Sequence, residues 1–305
     1  MNNKEDILKQ KVFIIFMLIT LISLLLIACG QNEKKPDDPF DNAAEQRGVE
    51  EEEKRQKIAA IKKNGIPSEV IEILKDFHKD FGEERGDFGR YARPSYIWES
   101  IEEVLEKVPY KNGVDDNGNE FVYGDVKDYT TADVAARQAA RDEVDLAFGY
   151  RVGFVRAFAE LAKKLVETKD LLTKNKTKLK DLLIKIRKCA KAYYIDAYDT
   201  LEKNLDNLEV LSAAEVKSLH DNLALLKAER DKLVSKILQP FKDKYPMIRE
   251  FWYNPASTKI VNTLTADEIE TYWDTLSAEF DSICNEIIKI SGEIQGILDN
   301  IKIKG

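Results

Sequence analysis

The clearest pattern in this chain is a regular stripe of apolar residues near its C-terminus. From Ile269 to Ile301 these residues recur at alternating spacings of four and three. This spacing places them on one face of an α-helix, because 3.6 residues complete one turn. Thr265 and Glu268 precede the stripe with the spacing of a capping box, which satisfies backbone N–H groups of the first turn. The sequence therefore predicts one long C-terminal helix that begins close to Ala266.

Two further stripes with the same period lie in the middle of the chain. One covers Leu179–Leu208 and the other covers Val216–Ile237. Between them, Ser212 and Glu215 have the spacing of a second capping box. Because the connection is short, we expect these two helices to be antiparallel neighbours.

Shorter helices are predicted upstream from residues that start or stop a helix. The predicted boundaries are Glu51 to Lys63 with a stop at Asn64-Gly65, a start at Pro67, a start after Pro94-Ser95, a cap at Thr131, and a kink or break at Gly149 and Gly153. The helix that follows this break covers Val155 to Val166. These helices add to the three longer ones and leave short connections between them.

The stretch Val108–Val126 departs from the helical pattern. Its two Asn-Gly pairs are flanked by Val, Tyr and Phe, which is typical of a small β-hairpin or of an ordered loop. We favour a loop that projects from the bundle. Strand signals are almost absent elsewhere, so the predicted fold is all-α: an elongated bundle of about six to eight helices with a long C-terminal helix.

The N-terminal segment has the layout of a signal peptide. Its apolar run, Val12–Ala28, contains no charged residue and follows three lysines. Its seventeen residues also reach the low end of the length needed for an uncleaved transmembrane helix. However, the Leu-Ile-Ala-Cys sequence that ends at Cys29 follows the lipobox order of bacterial lipoproteins. We therefore predict cleavage after Ala28 and a lipid on Cys29.

The residues that follow Cys29 include almost no apolar residues, two prolines and charges of both signs as far as Gly48. Such a segment buries too little apolar surface to offset its chain entropy, so we interpret it as a flexible tether. The predicted organisation is a signal peptide at residues 1–28, the lipidated cysteine and tether at 29–48, and a helical-bundle domain at 49–305.

The charge balance is acidic. The chain contains 47 Lys and Arg against 55 Asp and Glu, a net charge of −8. Without residues 1–28, which carry three Lys against one Glu and one Asp, the net charge is −9. This balance argues against general nucleic-acid binding. Apart from Cys29, the cysteines are Cys189 and Cys284; we expect two buried thiols, although a disulfide also suits an exported protein.

Residues that commonly carry catalysis or bind metals do not form a recognisable motif. The segment 115–120 resembles part of a calcium loop, but alignment with an EF-hand loop lacks both the first Asp and the closing Glu. We interpret it as a solvated turn. His78 and His220 have no second His or Cys at ligand spacing, so we expect surface or boundary histidines. We therefore predict no metal site, no cofactor and no enzymatic activity.

Two groups of residues are candidate contact surfaces. A basic cluster suits an acidic host protein or a sulfated glycan, or simply forms the solvated face of its helix. It consists of Lys174, Lys176, Lys178, Lys180, Lys185, Arg187, Lys188 and Lys191. The adjacent aromatic residues Phe251, Trp252 and Tyr253 either expose a side chain for recognition or pack across the end of the bundle.

Two helical segments carry a family resemblance. They are RDEVDLAFGYRVGFVRAFAEL (Arg141–Leu161) and DTLEKNLDNLEVLSAAEVKSLHDNLALLKAERDKLV (Asp199–Val234). Together with the lipobox and the tether, they resemble the Borrelia virulence-associated outer-surface lipoproteins, the family that includes the complement-regulator-acquiring surface proteins. The resemblance covers roughly Ile58 to Tyr245 and implies a surface-exposed helical bundle. Some members of this family bind complement regulators or components, some bind other host proteins, and many have no known ligand. No ligand-binding residue carries over to this sequence.

These observations lead to a first hypothesis and its alternatives. The first is a lipid-anchored protein of the outer membrane surface that binds host proteins. The expected host proteins are above all complement components or regulators, so that the protein serves immune evasion. The alternatives are a structural or assembly lipoprotein that faces the periplasm, and an adhesin for host matrix or glycans. A homodimer is expected if the stripe Ile269–Ile301 is incompletely buried within one chain.

Overall fold

The structure is a computed structural model that describes residues 39–78, 101, 103–114, 120–123, 132–244 and 264–304. Its contacts divide the chain into two units, residues 1–52 and residues 53–305. The first helix, α1 (Pro39–Asn64), has residues in both units, and α2 (Ser68–His78) lies in the second.

The start of α1 differs from the prediction, whereas its end agrees. The helix begins at Pro39 rather than at Glu51, inside the segment that we interpret as a tether. Proline is well tolerated in the first turn of a helix, and the Ala, Glu and Gln residues that follow have high helix propensity. At the other end, α1 ends at Asn64, directly before Gly65, as predicted, and the Gly65 N–H donates the last helical hydrogen bond to the Ile61 carbonyl oxygen over 2.7 Å.

The second unit continues with a hairpin and five further labelled helices. These elements are β1 (Pro109–Val114), β2 (Glu120–Val122), α3 (Ala132–Ala147), α4 (Val152–Leu165), α5 (Lys169–Lys191), α6 (Ala213–Lys232) and α7 (Ala266–Lys304). Helix α5 passes without a break into a π-helical segment (Ala192–Asp199), and α6 does the same (Leu233–Leu238). The predicted all-α bundle with a long C-terminal helix is confirmed.

Both predicted capping boxes are present. At α7, the Thr265 N–H donates to Glu268 Oε2 over 2.8 Å, and the Glu268 N–H donates to Thr265 Oγ1 over 3.3 Å. At α6, the Ser212 N–H donates to Glu215 Oε2 over 2.7 Å. The two helices therefore begin at the residues that the sequence predicts.

The apolar stripe of α7 is covered by other residues of the same chain. Most of its members are buried, while Trp273 and Leu276 are half-buried but still pack on the core. Near the end of the helix, Leu298 is fully buried and the predicted Ile297 only partly so. Because most of the stripe is covered within one chain, the condition that we set for a homodimer is met only at Trp273, Leu276 and Ile297, and the homodimer stays a prediction.

The segment around β1 and β2 is a hairpin, so the projecting loop that we favour from the sequence is wrong. The strands pair antiparallel, with Pro109 opposite Val122 and an irregular register before Val114. Tyr110 and Tyr123 are both buried, with their ring centroids 5.7 Å apart. Burial of these aromatic rings against the bundle stabilises the hairpin, which an isolated two-stranded sheet does not achieve in water.

A sharp turn separates α3 from α4. Gly149 has a φ of +58° and Tyr150 a φ of +55°, a conformation that favours glycine. The predicted break at Gly149 is confirmed, whereas Gly153 lies inside α4. The predicted helix start at Pro94 and the predicted cap at Thr131 lie outside the described residues.

Candidate functional site

The basic cluster on α5 faces acidic side chains of α7. Three ion pairs, which we call the α5–α7 ladder, connect the two helices. They are Lys174–Glu270 (2.8 Å), Lys178–Asp274 (3.6 Å) and Lys185–Asp281 (2.5 Å). Because the residue numbers rise together on both helices, α5 and α7 run parallel. The distance from one partner to the next along the chain is the same on both helices, so the ladder fixes one register.

Most of the remaining cations of the cluster are also paired. Lys176 pairs with Glu120 of β2, Arg187 pairs with Glu143 of α3, and Lys180 lies 4.0 Å from Asp181 of its own helix. Lys188 and Lys191 are exposed. A surface whose cations are mostly paired within the chain presents little free positive charge to a ligand. The structure therefore favours the interpretation of this cluster as a solvated helix face.

Arg187 connects the hairpin to the bundle. Its Nε and Nη2 atoms donate to Glu143 Oε2 over 2.9 and 2.7 Å. Its Nη1 atom donates to the Tyr110 carbonyl oxygen (2.8 Å) and to the Tyr123 hydroxyl (3.2 Å). Burial raises the pKa of Tyr123 despite the opposing charge of Arg187, so the phenol stays neutral. Arg187 is thus a structural cation that is balanced by a carboxylate.

Arg230 of α6 is a buried cation with a different environment. Only 6% of its surface is exposed. Its guanidinium donates to the Ala147 carbonyl oxygen (3.2 Å) and to the Tyr194 hydroxyl (3.1 Å). The ring centroids of Tyr193 and Tyr194 lie 5.5 and 5.4 Å away, within cation–π range. Arg230 therefore joins the end of α3 and the π-helical segment after α5 to α6.

Within the described part of the chain, no carboxylate forms an ion pair with Arg230. Burial lowers the pKa of this guanidinium, but the neighbouring Tyr194, Tyr193 and Cys189 raise it, and the net shift is upward. Burying a charge is costly unless nearby groups compensate it. Here the Ala147 carbonyl and the Tyr194 hydroxyl accept hydrogen bonds, and the two rings add cation–π contacts.

Sequence reasoning did not identify Arg230, although a signal exists. The stripe of α6 contains Leu226 and Leu233 but no apolar residue between them at helical spacing. Arg230 occupies that inward position, four residues after one leucine and three before the other. A charged residue at a core position of an amphipathic helix is a recognisable exception to the binary pattern.

The two histidines have contacts expected of boundary residues. His78 Nε2 lies 2.9 Å from Asp199 Oδ1, while Lys203 Nζ donates to Asp199 Oδ2 over 2.7 Å. Asp199 is buried, so this contact fastens α2 to the π-helical segment. His220 lies on the surface of α6, 3.2 Å from Asp221. Among the described residues, no group of three His, Cys, Asp or Glu could hold a metal ion.

A cleft of about 290 Å³ lies beside the end of α1. Asn64, His220 and Lys227 are polar residues of its lining. Lys227 donates to Asp231 of its own helix over 2.8 Å, so its charge is already paired. The lining of this cleft contains no carboxylate.

Cys189 of α5 and Cys284 of α7 are free, buried thiols, with 1% and 0% of their surfaces exposed. The pKa of Cys284 is raised, first by hydrogen bonding to the Cys189 thiol and second by burial. The prediction of two buried thiols is confirmed, and the thiols are neighbours.

Three predicted features lie outside the described residues. Cys29, with the rest of the signal peptide, is one of them. The second is the predicted turn, of which only the last residue, Glu120, is described. The third is the group of aromatic residues at 251–253.

The described part of the chain thus defines a class of protein, an all-α bundle with polar contacts that join its helices. A family model described as Borrelia Bbcrasp-1 domain containing protein matches residues 102–299. Because the match covers more than half of the chain, the protein belongs to the Borrelia complement-regulator-acquiring surface protein family. The resemblance of Arg141–Leu161 and Asp199–Val234 to this family is confirmed, and the match extends into α7.

Membership of this family agrees with the prediction that this chain is a Borrelia surface protein. No curated protein and no solved structure gives a significant match to the chain. None of the helices in the described residues is both long enough and apolar enough to cross a membrane.

Proposed function

We propose that this protein is held at the outer surface of the outer membrane by a lipid on Cys29 and binds host proteins there, with complement components or regulators as the first candidates. The observation that carries the proposal is the family match over residues 102–299. The matched region includes the hairpin, the buried Arg230 and nearly all of α7. It therefore covers the elements that determine the shape of the bundle surface.

The proposed anchor is a lipid rather than a helix. The lipobox ends at Cys29, and each buried CH₂ of an attached acyl chain contributes roughly 0.8 kcal/mol to membrane binding. A single chain binds only marginally, whereas two or three chains give a durable attachment. An anchored protein of this kind presents its bundle to partners outside the cell.

The pairing of the basic cluster bears on the class of ligand that we propose. The basic cluster is mostly paired within the chain, which supports a protein ligand over a sulfated glycan. A rigid, charged bundle surface is suited to protein recognition through complementary patches.

A direct binding experiment tests the first part of this proposal. The full chain, purified in detergent from cell membranes, is immobilised and exposed to a panel of purified human complement components and regulators. We expect saturable binding to at least one of them, and competition by the same protein in solution. The urea-unfolded chain is the control for adhesion of unfolded protein. Absence of saturable binding across the panel contradicts the proposal.

A second experiment tests the location. Intact cells are treated with protease, and loss of the protein without cell lysis is expected. Protection from the protease would instead support the alternative of a structural lipoprotein that faces the periplasm. Lipid labelling provides a matched pair of variants: Cys29→Ala should lose the label, whereas Cys189→Ala should retain it. Retention of the label by Cys29→Ala would contradict the proposed anchor.

A further inference from the structure

The α5–α7 ladder leads directly to the two buried cysteines. Its last pair is Lys185 with Asp281. One helical turn further along each helix lie Cys189 and Cys284. Because α5 and α7 run parallel in a register that the ladder fixes, one turn along each helix reaches the same level of the interface. This register, together with the burial of both thiols in the core, places the two thiols opposite each other.

The environment of the thiols agrees with this placement. Both cysteines belong to the buried core, and the pKa of Cys284 is raised chiefly by hydrogen bonding to the Cys189 thiol. Since Cys29 is the only other cysteine in the chain, Cys189 and Cys284 have no competing intramolecular partner once Cys29 carries a lipid. The pair has the proximity and the isolation that a single disulfide needs.

We infer that Cys189 and Cys284 are a redox pair that closes to an intramolecular disulfide in the exported protein and so fastens α5 to α7. The oxidant is a second disulfide, such as glutathione disulfide. One cysteine thiolate attacks a sulfur of this oxidant, which gives a mixed disulfide and releases one thiolate. The other cysteine loses its proton and attacks the protein sulfur of the mixed disulfide, which releases the second thiolate. Two electrons pass from the cysteine pair to the oxidant.

Both thiols are buried, and the oxidant therefore reaches them during folding or in a local opening of the bundle.

The expected consequence is a more stable bundle. The disulfide connects residues that are far apart in the sequence, with all of α6 between them. A cross-link of this kind restricts the unfolded chain, and the restriction grows with the length of the closed loop. We therefore expect the oxidised chain to unfold at a higher urea concentration than the reduced chain.

Thiol mapping of the full chain tests this inference. The reduced chain is incubated under native conditions with glutathione disulfide, unfolded in the presence of a maleimide, digested and analysed by mass spectrometry. We expect a Cys189 peptide linked to a Cys284 peptide and almost complete loss of maleimide labelling at both. Reduction should restore the labelling. Full labelling of both cysteines after oxidation, or links only between different chains, would overturn the inference.

Two controls make the result specific. In Cys189→Ser and Cys284→Ser variants, no linked peptide should form, and the remaining thiol should either react with the maleimide after unfolding or carry a mixed disulfide with glutathione. The wild-type measurement does not depend on these variants, so it stands if either fails to fold. The same mapping on protein isolated directly from cells tests whether the disulfide is already closed in the exported protein. This measurement is the one that depends on the proposed export. Failure of host-protein binding would leave the disulfide result unchanged.

Discussion

Removal of the Tyr194 hydroxyl is the most direct test of how the bundle tolerates the buried Arg230. The substitution Tyr194→Phe keeps the aromatic ring, and with it the cation–π contact at 5.4 Å and the edge-to-face packing on Tyr193 at 4.8 Å. What is lost is the hydrogen bond from the guanidinium to the hydroxyl, which measures 3.1 Å. The substitution therefore isolates a single contact to a buried charge.

The magnitude follows from the surroundings of the guanidinium. A hydrogen bond to a charged group contributes about 1.5–3 kcal/mol to the free energy of unfolding. After the substitution, the Ala147 carbonyl is the remaining oxygen acceptor among the described contacts of Arg230. Water has little access to a side chain that is only 6% exposed. We therefore expect a loss in the upper half of that range, about 2–3 kcal/mol.

Tyr123→Phe is the matched control. Tyr123 is also fully buried, and its hydroxyl accepts a hydrogen bond of 3.2 Å from Arg187. However, Arg187 retains the Glu143 carboxylate and the Tyr110 carbonyl after the substitution. Because its charge stays compensated, we expect a loss of only about 1 kcal/mol.

Urea unfolding of the full chain, followed by circular dichroism, measures both losses. The comparison is valid if the dependence of the free energy on urea concentration is the same for the wild type and the two variants. A loss for Tyr194→Phe that is no larger than the loss for Tyr123→Phe would refute the reasoning about the unpaired cation.

Three further predictions use the same urea assay. Gly149→Ala should cost about 1–2 kcal/mol, because the φ of +58° is unfavourable for alanine; no loss would contradict the requirement for glycine. Ser212→Ala should cost about 1 kcal/mol through loss of the α6 cap, and an unchanged midpoint would exclude a role for that cap. Burial raises the pKa of Glu270, but Lys174 and Asn175 lower it, and the net shift is downward. The stability that Glu270 contributes is therefore present above the unfolded pKa and is lost as the pH falls through the folded pKa. Glu270→Gln should lose less stability than the wild type between about pH 6 and pH 3. Equal losses of stability would contradict the lowered pKa of Glu270.

The long helices were predictable because their signal is local. The stripe from Ile269 to Ile301 and the capping boxes at Thr265 and Ser212 each depend on residues within a few turns of one another. The break at Gly149 was likewise predictable, since its backbone conformation favours one residue type. In each case the residues that determine the structure are close together in the sequence.

The remaining features depend on partners that are distant in the sequence. The hairpin is stabilised by burial of Tyr110 and Tyr123 against α5, and short apolar segments with turn signals do not reveal that packing. The start of α1 at Pro39 reflects helix propensity without an apolar stripe, so periodicity does not detect it. The contacts of Arg230 join α3, the π-helical segment and α6, and a single charged residue in a leucine stripe does not identify its partners.

These distant polar contacts explain how similar apolar stripes specify one arrangement. Leucine and isoleucine stripes with the same period on α5, α6 and α7 keep their apolar faces in contact if one helix shifts by a turn along its neighbour, so apolar periodicity alone does not select the register. Such a shift would leave the α5–α7 ladder mismatched and would remove the Ala147 carbonyl and the Tyr194 hydroxyl from Arg230. Leaving this buried cation without its hydrogen-bond partners costs several kcal/mol. We therefore expect Arg230 to act mainly by destabilising the shifted arrangements, at the level of the bundle where Cys189 and Cys284 meet.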